Sequence, residues 1–172
     1  MEGLTIAIAP ASERAIFDNL LQLYVHDFSE LFAGTPRGDV GDDGRYLVDI
    51  PVGDWWQKVD HVPLLFRWHG KLAGFALLNA TTHSGTPAEC NIAEFFVLRK
   101  YRRMGIGAAA AQALFSGHPG HWEAAVMRGN TGARRFWEAA ICGHPAMAHI
   151  DIADSTEFCW DGTIFRFEIA PA

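Results

Sequence analysis

Residues 94–108 read E-F-F-V-L-R-K-Y-R-R-M-G-I-G-A, and this stretch decides the fold. An apolar run typical of a β-strand leads into a basic loop and then into two glycines at the start of a helix. The N–H groups in the first turn of a helix have no partners within the helix and lie at the positive end of its dipole. Gly105 and Gly107 place no side chain between these groups and an anion, and Arg102 and Arg103 add positive charge. The pattern therefore predicts a binding site for a pyrophosphate group.

The distribution of charge favours the anion site over its alternative, a glycine-rich turn for close packing with its arginines in solvent. The chain has a formal net charge of -6, yet seven of its 14 lysines and arginines lie between residues 99 and 135. Residues 1–60 show the reverse balance, with eleven acidic residues and four basic ones. An acidic protein that gathers its cations in one segment is expected to bind an anion there. The acidic balance also predicts that the protein does not bind nucleic acid.

Size and composition predict one globular domain spanning residues 1–172. The chain is 49% hydrophobic, which is ordinary for a folded protein. No apolar run approaches the roughly 20 residues that cross a bilayer, and residues 1–10 do not resemble a secretory signal. We therefore expect a cytoplasmic protein without a membrane partner. The three cysteines are widely spaced and no cluster of thiols and carboxylates completes a ligand set, so no metal site is expected.

Hydrophobic spacing and turn residues predict a mixed order of strands and helices. Strands are expected at residues 4–9, 46–50, 63–69, 71–80, 92–98, 122–127 and 163–169. Helices are expected from residue 13, from Gly105 and from Asn130, and a long loop is expected at residues 34–44. The sequence His69-Gly70-Lys71 favours a tight hairpin turn. This order predicts an α/β fold, a single domain whose mostly antiparallel mixed central sheet is flanked by helices.

A second motif follows the glycines and begins at the cap of a predicted helix. It reads Asn130-x-x-Ala133-x-x-Phe136-Trp137-Glu138. Together with Arg102-x-x-Gly105-x-Gly107, it resembles the cofactor motifs of the GNAT family of N-acetyltransferases, Q/R-x-x-G-x-G/A and N-x-x-A-x-x-F/L-Y-E. The two motifs occur in the family's order and spacing. The resemblance implies a single GNAT-like domain that moves an acetyl group from acetyl-CoA, its cosubstrate, to an amine.

The resemblance also implies which residues bind acetyl-CoA. The backbone of Val97, Leu98 and Arg99 is expected to pair with the pantetheine arm like an added strand. The pyrophosphate is expected to contact the loop and the first helical turn: Arg102, Arg103, Met104, Gly105, Ile106, Gly107 and Ala108. Asn130 is expected to approach the pantetheine or the thiol. Arg134 or Arg135 is expected to reach the adenosine phosphate, although either also fits a solvated helix residue.

The second motif departs from the family pattern at Trp137. The family often has a tyrosine there, which protonates the leaving thiolate, and an indole cannot act as an acid near neutral pH. The general acid is therefore unassigned. Glu94 is the candidate general base, because its apolar neighbours Phe95 and Phe96 would raise its pKa toward a useful value. The alternative is a carboxylate that points to water. No pattern marks a covalent nucleophile, so direct transfer within one complex of both substrates is expected.

The acceptor is expected to be a small amine bound by the N-terminal helical region, where the family shapes its acceptor site. The acidic balance of residues 1–60 favours a cationic amine, with Trp55 and Trp56 as walls of its pocket. In the alternative, the acids only make the surface soluble and both tryptophans belong to the core. Two other functions stay open, an acyl-CoA-binding module without catalysis and an acetyltransferase that acts on a protein amine. The sequence also leaves the oligomeric state open, a homodimer included.

Overall fold

The computed structural model describes residues 1–157 and 160–171. In this part of the chain, seven strands form one sheet and three α-helices flank it. The strands are β1 (Leu4–Ile8), β2 (Val62–Trp68), β3 (Lys71–Asn79), β4 (Cys90–Val97), β5 (Gly120–Met127), β6 (Met147–Glu157) and β7 (Trp160–Ile169). The helices are α1 (Arg14–Ser29), α2 (Ile106–Gly117) and α3 (Thr131–Cys142).

The order of the sheet is β1-β2-β3-β4-β5-β7-β6, and its strands are antiparallel except for β4 and β5. These two strands are parallel, and α2 forms the crossover connection that parallel neighbours require. The arrangement confirms the predicted α/β fold with a mostly antiparallel mixed sheet. It also places the one parallel pair of strands at the centre of the sheet. The basic loop follows directly after β4, one strand of that pair.

The turn between β2 and β3 forms as its sequence predicts. His69 and Gly70 both have positive φ angles, 47° and 75°. Two such residues in succession twist the chain in the sense that matches the twist of paired antiparallel strands. Trp68 and Lys71 therefore pair directly across the turn, which sets the register of β2 and β3.

The sheet separates two hydrophobic clusters. On one face, Phe17 and Leu21 of α1 pack with Phe75 of β3 and Phe96 of β4, and we call this the α1-side cluster. On the other face, residues of α2 and α3 pack around Phe115, and we call this the α2/α3-side cluster. Among the described residues, none of the helices has both the length and the apolar composition needed to cross a membrane.

Two features of the chain differ from the prediction. Residues 46–50 do not form a strand, since only an isolated bridge joins Val40 and Tyr46. Gln22 of α1 replaces the missing strand partner, because its side-chain amide donates to the Tyr46 carbonyl at 3.1 Å and accepts from the Tyr46 N–H at 2.9 Å. The second difference is β6, which has no counterpart in the prediction. It is an edge strand with mostly exposed side chains, and its aspartates, alanines and serine are residues that strands disfavour.

Candidate active site

The centre of the sheet opens where β4 and β5 part. The two strands pair only from Cys90 beside Trp122 to Ile92 beside Ala124. Beyond Ile92, β4 continues to Val97 with no partner on this side, although it stays paired with β3 on the other. Strands that diverge in this way leave backbone N–H and C=O groups unpaired in the gap. An extended ligand can pair with such groups as an added strand.

A β-bulge at Ala93 turns the side chain of Glu94 toward α1. Consecutive residues of β3 lie opposite Ile92 and Glu94, so Ala93 has no partner in β3. Ile92 packs in the α2/α3-side cluster, and a regular strand would place Glu94 on that same face. Because the bulge adds one residue, Glu94 instead meets Tyr24 of α1.

The Glu94 carboxyl is partly buried and accepts a hydrogen bond from the Tyr24 hydroxyl. The rings of Phe28, Phe75 and Phe96 surround Tyr24, with centroids 4.6 to 5.9 Å from its own. Burial raises the pKa of Glu94 to about 7, and the hydrogen bond from Tyr24 opposes part of that rise. Burial, and then the charge and hydrogen bond of Glu94, raise the pKa of Tyr24 well above its usual value. Near neutral pH the pair therefore combines a protonated phenol with a carboxyl that can both take up and release a proton.

Asp27 of α1 binds two arginines of the basic loop. Arg99 donates from Nε to Asp27 at 2.8 Å, and Arg102 donates from Nη2 to the other carboxylate oxygen. Burial alone would raise the pKa of Asp27, but the hydrogen bonds and charges of the two arginines outweigh it and lower that pKa. Arg102 also donates from Nε to the Val97 carbonyl at 2.8 Å. Arg103 is exposed and forms no ion pair with the described residues, so its charge is available to a ligand.

The Leu98 backbone and the Arg99 carbonyl already form hydrogen bonds within the protein. The Leu98 N–H donates to the Ala73 carbonyl at 2.8 Å, and the Leu98 carbonyl accepts from the Tyr101 N–H at 2.8 Å. The Arg99 carbonyl accepts from the N–H three residues later at 3.2 Å. Because bonding directions alternate along a strand, the N–H of Val97 points away from β3 and into the gap. Among the three residues predicted to pair with a pantetheine arm, Val97 therefore offers a backbone donor in the gap, whereas the Leu98 N–H is bound to β3.

The start of α2 has the backbone that its glycines predict. Gly105 adopts a φ of 80°, in the left-handed region that favours glycine. Ala109 donates the first hydrogen bond of the helix, to the Gly105 carbonyl at 2.9 Å. The three N–H groups before it have no acceptor within the helix, those of Ile106, Gly107 and Ala108. The turn therefore presents a set of unused donors to an anion.

The same turn is closely packed against α3. A Cβ atom at Gly107 would lie 3.3 Å from a ring carbon of Phe136 and 3.5 Å from a methyl carbon of Val97. Ile106 is fully buried beneath the turn, whereas the Met104 side chain is 48% exposed at its rim. Gly107 thus permits close packing against α3 and also leaves backbone N–H groups uncovered. Both interpretations of the glycines, an anion site and a turn for close packing, therefore have a structural basis.

Asn130 caps α3, as predicted. Its side-chain carbonyl accepts from the Ala133 N–H at 3.0 Å, and its amide nitrogen has no hydrogen-bond partner among the described residues. Trp137 is buried one and a half turns into the same helix and packs edge-on against Phe95 and Phe136, with centroids 5.0 and 4.9 Å away. The indole therefore belongs to the core.

The arginines of α3 are both exposed. Arg134 lies 3.8 Å from the Asp154 carboxylate, while Arg135 forms no ion pair with the described residues.

The histidines, cysteines and acids of residues 1–157 and 160–171 form no group of three or more that could hold a metal ion.

The two tryptophans of the N-terminal region lie in or against the core. Trp55 is buried, with its ring centroid 4.5 Å from that of His61. Trp56 donates from its indole nitrogen to the Ala9 carbonyl at 2.8 Å and packs edge-on against Phe17 at 5.4 Å. Both side chains have structural contacts, which favours the alternative that they belong to the core.

Sequence reasoning did not find Tyr24 or Asp27, which bring α1 into the site. They lie three residues apart on α1, so the helix presents both toward β4 and the basic loop. The available signal was weak, since Tyr24 fits the apolar stripe of α1 and Asp27 is one acid among many in the N-terminal region. Only the packing of α1 on the sheet shows that they contact Glu94 and the two arginines.

The acetyltransferase family model (GNAT) matches residues 18–143, which is most of the chain. The protein belongs to the GNAT family of acetyltransferases. A search of curated proteins finds no match to this GNAT chain.

Solved acetyltransferase structures share its fold at low sequence identity. An acetyltransferase from Thermus thermophilus is 15% identical, with a TM-score of 0.60 over 95% of this chain and 94% of that one. A GNAT family acetyltransferase from Staphylococcus aureus is 10% identical, with a TM-score of 0.57 over 96% and 98% of the chains. A GNAT family acetyltransferase from Elizabethkingia anophelis, solved with acetyl-CoA bound, is 12% identical, with a TM-score of 0.52 over 100% of both chains.

Proposed function

We propose that this GNAT protein transfers an acetyl group from acetyl-CoA directly to the amine of a small acceptor, in a complex that holds both substrates. The observation that carries the proposal is the position of Glu94. Its carboxyl, with a pKa raised to about 7, lies on β4 beside the gap between β4 and β5. A base must exist as carboxylate at working pH and still hold a proton strongly enough to take it from an amine, and a pKa near 7 meets both needs.

The residues around the gap fit acetyl-CoA. The Val97 N–H and the free amide of Asn130 suit the pantetheine arm, and the N–H groups at the start of α2 with Arg103 suit the pyrophosphate. Bound acetyl-CoA supplies a thioester, whose carbonyl carbon accepts a nucleophilic amine. The Elizabethkingia anophelis relative, solved with acetyl-CoA, supports the same assignment by likeness of fold.

The residues predicted to bind acetyl-CoA differ in how free they are to contact it. The N–H and the C=O of Leu98 already have internal partners, whereas Arg99 and Arg102 each keep further guanidinium N–H groups beside those that bind Asp27 and Val97. Met104 and Ala108 are exposed at the turn and can be covered by the ligand. Arg135, and Arg134 with its longer ion pair, remain the candidates for the adenosine phosphate.

Glu94 and Tyr24 are the residues that we propose to handle the proton lost by the amine nitrogen. The neutral amine attacks the thioester carbon, Glu94 is placed to remove the proton that the nitrogen loses, and the C–S bond breaks to release CoA as a thiolate that is protonated from solvent. Tyr24 donates its hydrogen bond to the carboxylate and so favours the form of Glu94 that can act as base. The acceptor predicted from charge is an amine that arrives as a cation, attracted by the acidic N-terminal region.

A second candidate function is an acyl-CoA-binding module without turnover. Trp137 favours it, because a buried indole occupies the helix position at which the family often has a proton-donating tyrosine. Turnover distinguishes the two functions directly.

The test is release of free CoA thiol with acetyl-CoA and a panel of amino acids, polyamines, aminoglycosides and peptides. We expect turnover with the wild type and a decrease in kcat of roughly 100-fold or more in Glu94→Gln, with the KM for acetyl-CoA close to its wild-type value. Glu30→Gln is the matched control, since Glu30 is exposed at the end of α1 and has no ion pair in the described residues.

Three outcomes are informative. Equal activity of wild type and Glu94→Gln would remove Glu94 from the proposed role. Binding of acetyl-CoA with no turnover on any amine would support the module instead. Turnover only on a protein amine would retain the chemistry and reject a small acceptor.

A further inference from the structure

A single carboxylate, that of Asp27 on α1, holds two arginines of the basic loop side by side. Arg99 donates to one of its oxygens at 2.8 Å, and Arg102 donates to the other. Two neighbouring guanidinium groups repel each other, and a carboxylate between them offsets this repulsion. Because two positive charges share one negative charge, the group still attracts an anion. We call these three residues the Asp27 cluster.

The two cations of the Asp27 cluster are more accessible than its carboxylate. The Asp27 side chain is 14% exposed, whereas the side chains of Arg99 and Arg102 are 63% and 41% exposed. A guanidinium has five N–H donors, and only some of them are used by Asp27 and by the Val97 carbonyl. The cluster therefore offers solvent-accessible donors above a carboxylate that is largely covered.

Arg102 is held in one place by three contacts. Its Nε donates to the Val97 carbonyl at 2.8 Å, its Nη2 donates to Asp27, and its guanidinium carbon lies 5.5 Å from the centroid of the Phe96 ring. A free arginine side chain samples many rotamers and loses that freedom when it binds a ligand. A guanidinium that is already fixed in the protein avoids most of this cost.

These contacts place Arg102 beside the unused N–H groups at the start of α2. Bonding directions alternate along a strand, so the Val97 carbonyl points into the gap between β4 and β5, as the Val97 N–H does. The Val97 side chain borders the first turn of α2, since a Cβ atom at Gly107 would lie 3.5 Å from its methyl carbon. Arg102 is thus bound to the residue that adjoins this turn. A pyrophosphate on the N–H groups of residues 106–108 can therefore also receive hydrogen bonds from Arg102.

Asp27 has two opposed effects on a phosphate at this place. Its charge repels the phosphate, but salt screens charges at the surface over about 8 Å under physiological conditions. Its hydrogen bonds orient the arginines, and a direct hydrogen bond from a guanidinium to an oxygen depends strongly on that orientation. Because the carboxylate lies beneath the arginines and contacts them directly, we expect the orienting effect to be the larger one.

We propose that Asp27 is a positioning residue for the cosubstrate, which orients Arg102 and its neighbour Arg99 so that their remaining N–H groups bind the pyrophosphate of acetyl-CoA. This inference rests on the acetyl-CoA binding proposed above. It adds a residue of α1, which lies outside both cofactor motifs. Asp27 follows Tyr24 by three residues, so the helix that contacts the candidate base also orders the phosphate site.

The test is calorimetric titration of acetyl-CoA and of S-acetyl-dephospho-CoA, which lacks the 3′-phosphate and keeps the pyrophosphate. Asp27→Asn is made in the wild type and in a background that carries Arg99→Gln and Arg102→Gln. Asparagine has no charge and offers one acceptor oxygen in place of two. The matched control is Asp18→Asn, because Asp18 is an exposed aspartate of the same helix that faces residues 45–53 and not the basic loop.

In the wild-type background, we expect Asp27→Asn to raise the Kd of both ligands roughly five- to tenfold. In the background without the two arginines, the same substitution should leave the Kd within about twofold, because there is no guanidinium left to orient. The kcat at saturating acetyl-CoA should also stay within about twofold, since binding and not chemistry is affected. Asp18→Asn should bind both ligands as the wild type does.

Three results would overturn the proposal. Equal or tighter binding by Asp27→Asn would show that the carboxylate competes with the phosphates for the arginines. An equal loss of affinity in the background without the arginines would show that Asp27 supports the fold of α1 and not the orientation of Arg102. A loss confined to acetyl-CoA, with unchanged binding of the dephospho compound, would assign the cluster to the 3′-phosphate.

Failure of the proposed reaction is recognised separately, because the titration needs no turnover. If no amine is acetylated, the expected loss of affinity would still support the role of Asp27 while the transfer is rejected. Turnover that depends on Glu94, together with unchanged affinity in Asp27→Asn, would reject the role of Asp27 alone. Absence of acetyl-CoA binding by the wild type would overturn both.

Discussion

At the scale of single residues, the contact between Tyr24 and Glu94 sets the acid–base behaviour of the site. Burial disfavours the carboxylate and raises its pKa to about 7, while the tyrosine hydroxyl stabilises the carboxylate and opposes that rise. Two opposed effects therefore set the pKa of the proposed base. Removing the hydrogen bond raises this pKa, and reducing the burial lowers it.

Tyr24→Phe is expected to raise the pKa of Glu94 further, because the hydrogen bond that favours the carboxylate is lost while the ring still fills its place. A hydrogen bond to a charged group is worth enough to move the acidic limb of the kcat/KM profile upward by about one pH unit. The measurement is the pH dependence of kcat/KM in Tyr24→Phe and in the wild type. The midpoint of the wild-type profile should lie near 7.

Tyr101→Phe serves as the control for the loss of a phenol, since Tyr101 packs in the α2/α3-side cluster and its hydroxyl has no hydrogen-bond partner in the described residues. Its profile should match the wild type. A midpoint that stays in place in Tyr24→Phe would show that Glu94 does not determine the acidic limb.

The residue scale also shows what the sequence can reveal of the site. Glu94 could be named as a candidate because it stands in the strand that leads into the glycine motif, directly before Phe95 and Phe96. Its contact with Tyr24 could not, because that contact depends on the extra residue at Ala93. A bulge leaves no local signal in an apolar strand, yet it decides which face the next side chain occupies.

At the scale of secondary-structure elements, the start of α3 combines a structural task with a proposed binding task in one side chain. The Asn130 carbonyl caps the helix by accepting from Ala133, and its amide nitrogen is free to donate. The two tasks use different atoms, so different substitutions can separate them.

Asn130→Ala is expected to lose both tasks, with a decrease in the free energy of unfolding of about 1 kcal/mol. Asn130→Asp keeps an oxygen that caps the helix but has no donor. It should therefore retain its stability while its affinity for acetyl-CoA falls roughly three- to tenfold. Denaturant unfolding and calorimetric titration of acetyl-CoA measure the two effects.

Wild-type affinity in Asn130→Asp would show that the amide does not contact acetyl-CoA. A stability loss equal to that of Asn130→Ala would show that an aspartate cannot take over the cap at this position.

Elements differ in how much of them the sequence determines. The β2–β3 hairpin could be predicted because His69-Gly70 fixes the turn locally. Residues 46–50 could not, because a side chain of α1 takes the hydrogen bonds that a strand partner would have taken. Elements whose partners are distant in sequence or replaced by side chains depend on the tertiary fold, and β6, at the sheet edge beside β7, belongs to the same class.

At the scale of the whole molecule, the buried carboxyl proposed for catalysis also affects folding stability. Glu94 titrates near 7 in the folded protein, against an ordinary value of 4.5. Between these two values the folded state holds a proton that the unfolded state has released. Stability therefore falls as the pH rises through this interval, and the contribution is fully present only below the lower value.

The prediction is made on the difference between the wild type and Glu94→Gln, because other groups titrate in the same interval. The pKa of His144, for example, is lowered by burial, which works in the opposite direction. Relative to Glu94→Gln, the wild type should lose about 3 kcal/mol in the free energy of unfolding between pH 4.5 and pH 8. Urea unfolding of both proteins across this range measures the difference.

The kinetic and the stability measurements constrain each other because one deprotonation underlies both. If Glu94 is the base, kcat/KM rises with a midpoint near 7, and this is also the pH at which the loss of stability levels off, because that loss runs from about 4.5 to about 7. A stability loss that levels off near 7 beside a kinetic midpoint elsewhere would mean that Glu94 is a buried carboxyl and that another group limits the reaction. Agreement between the kinetic midpoint and the pH at which the stability loss ends, with both shifted upward in Tyr24→Phe, would tie the proposed chemistry to the contact between α1 and the bulged strand.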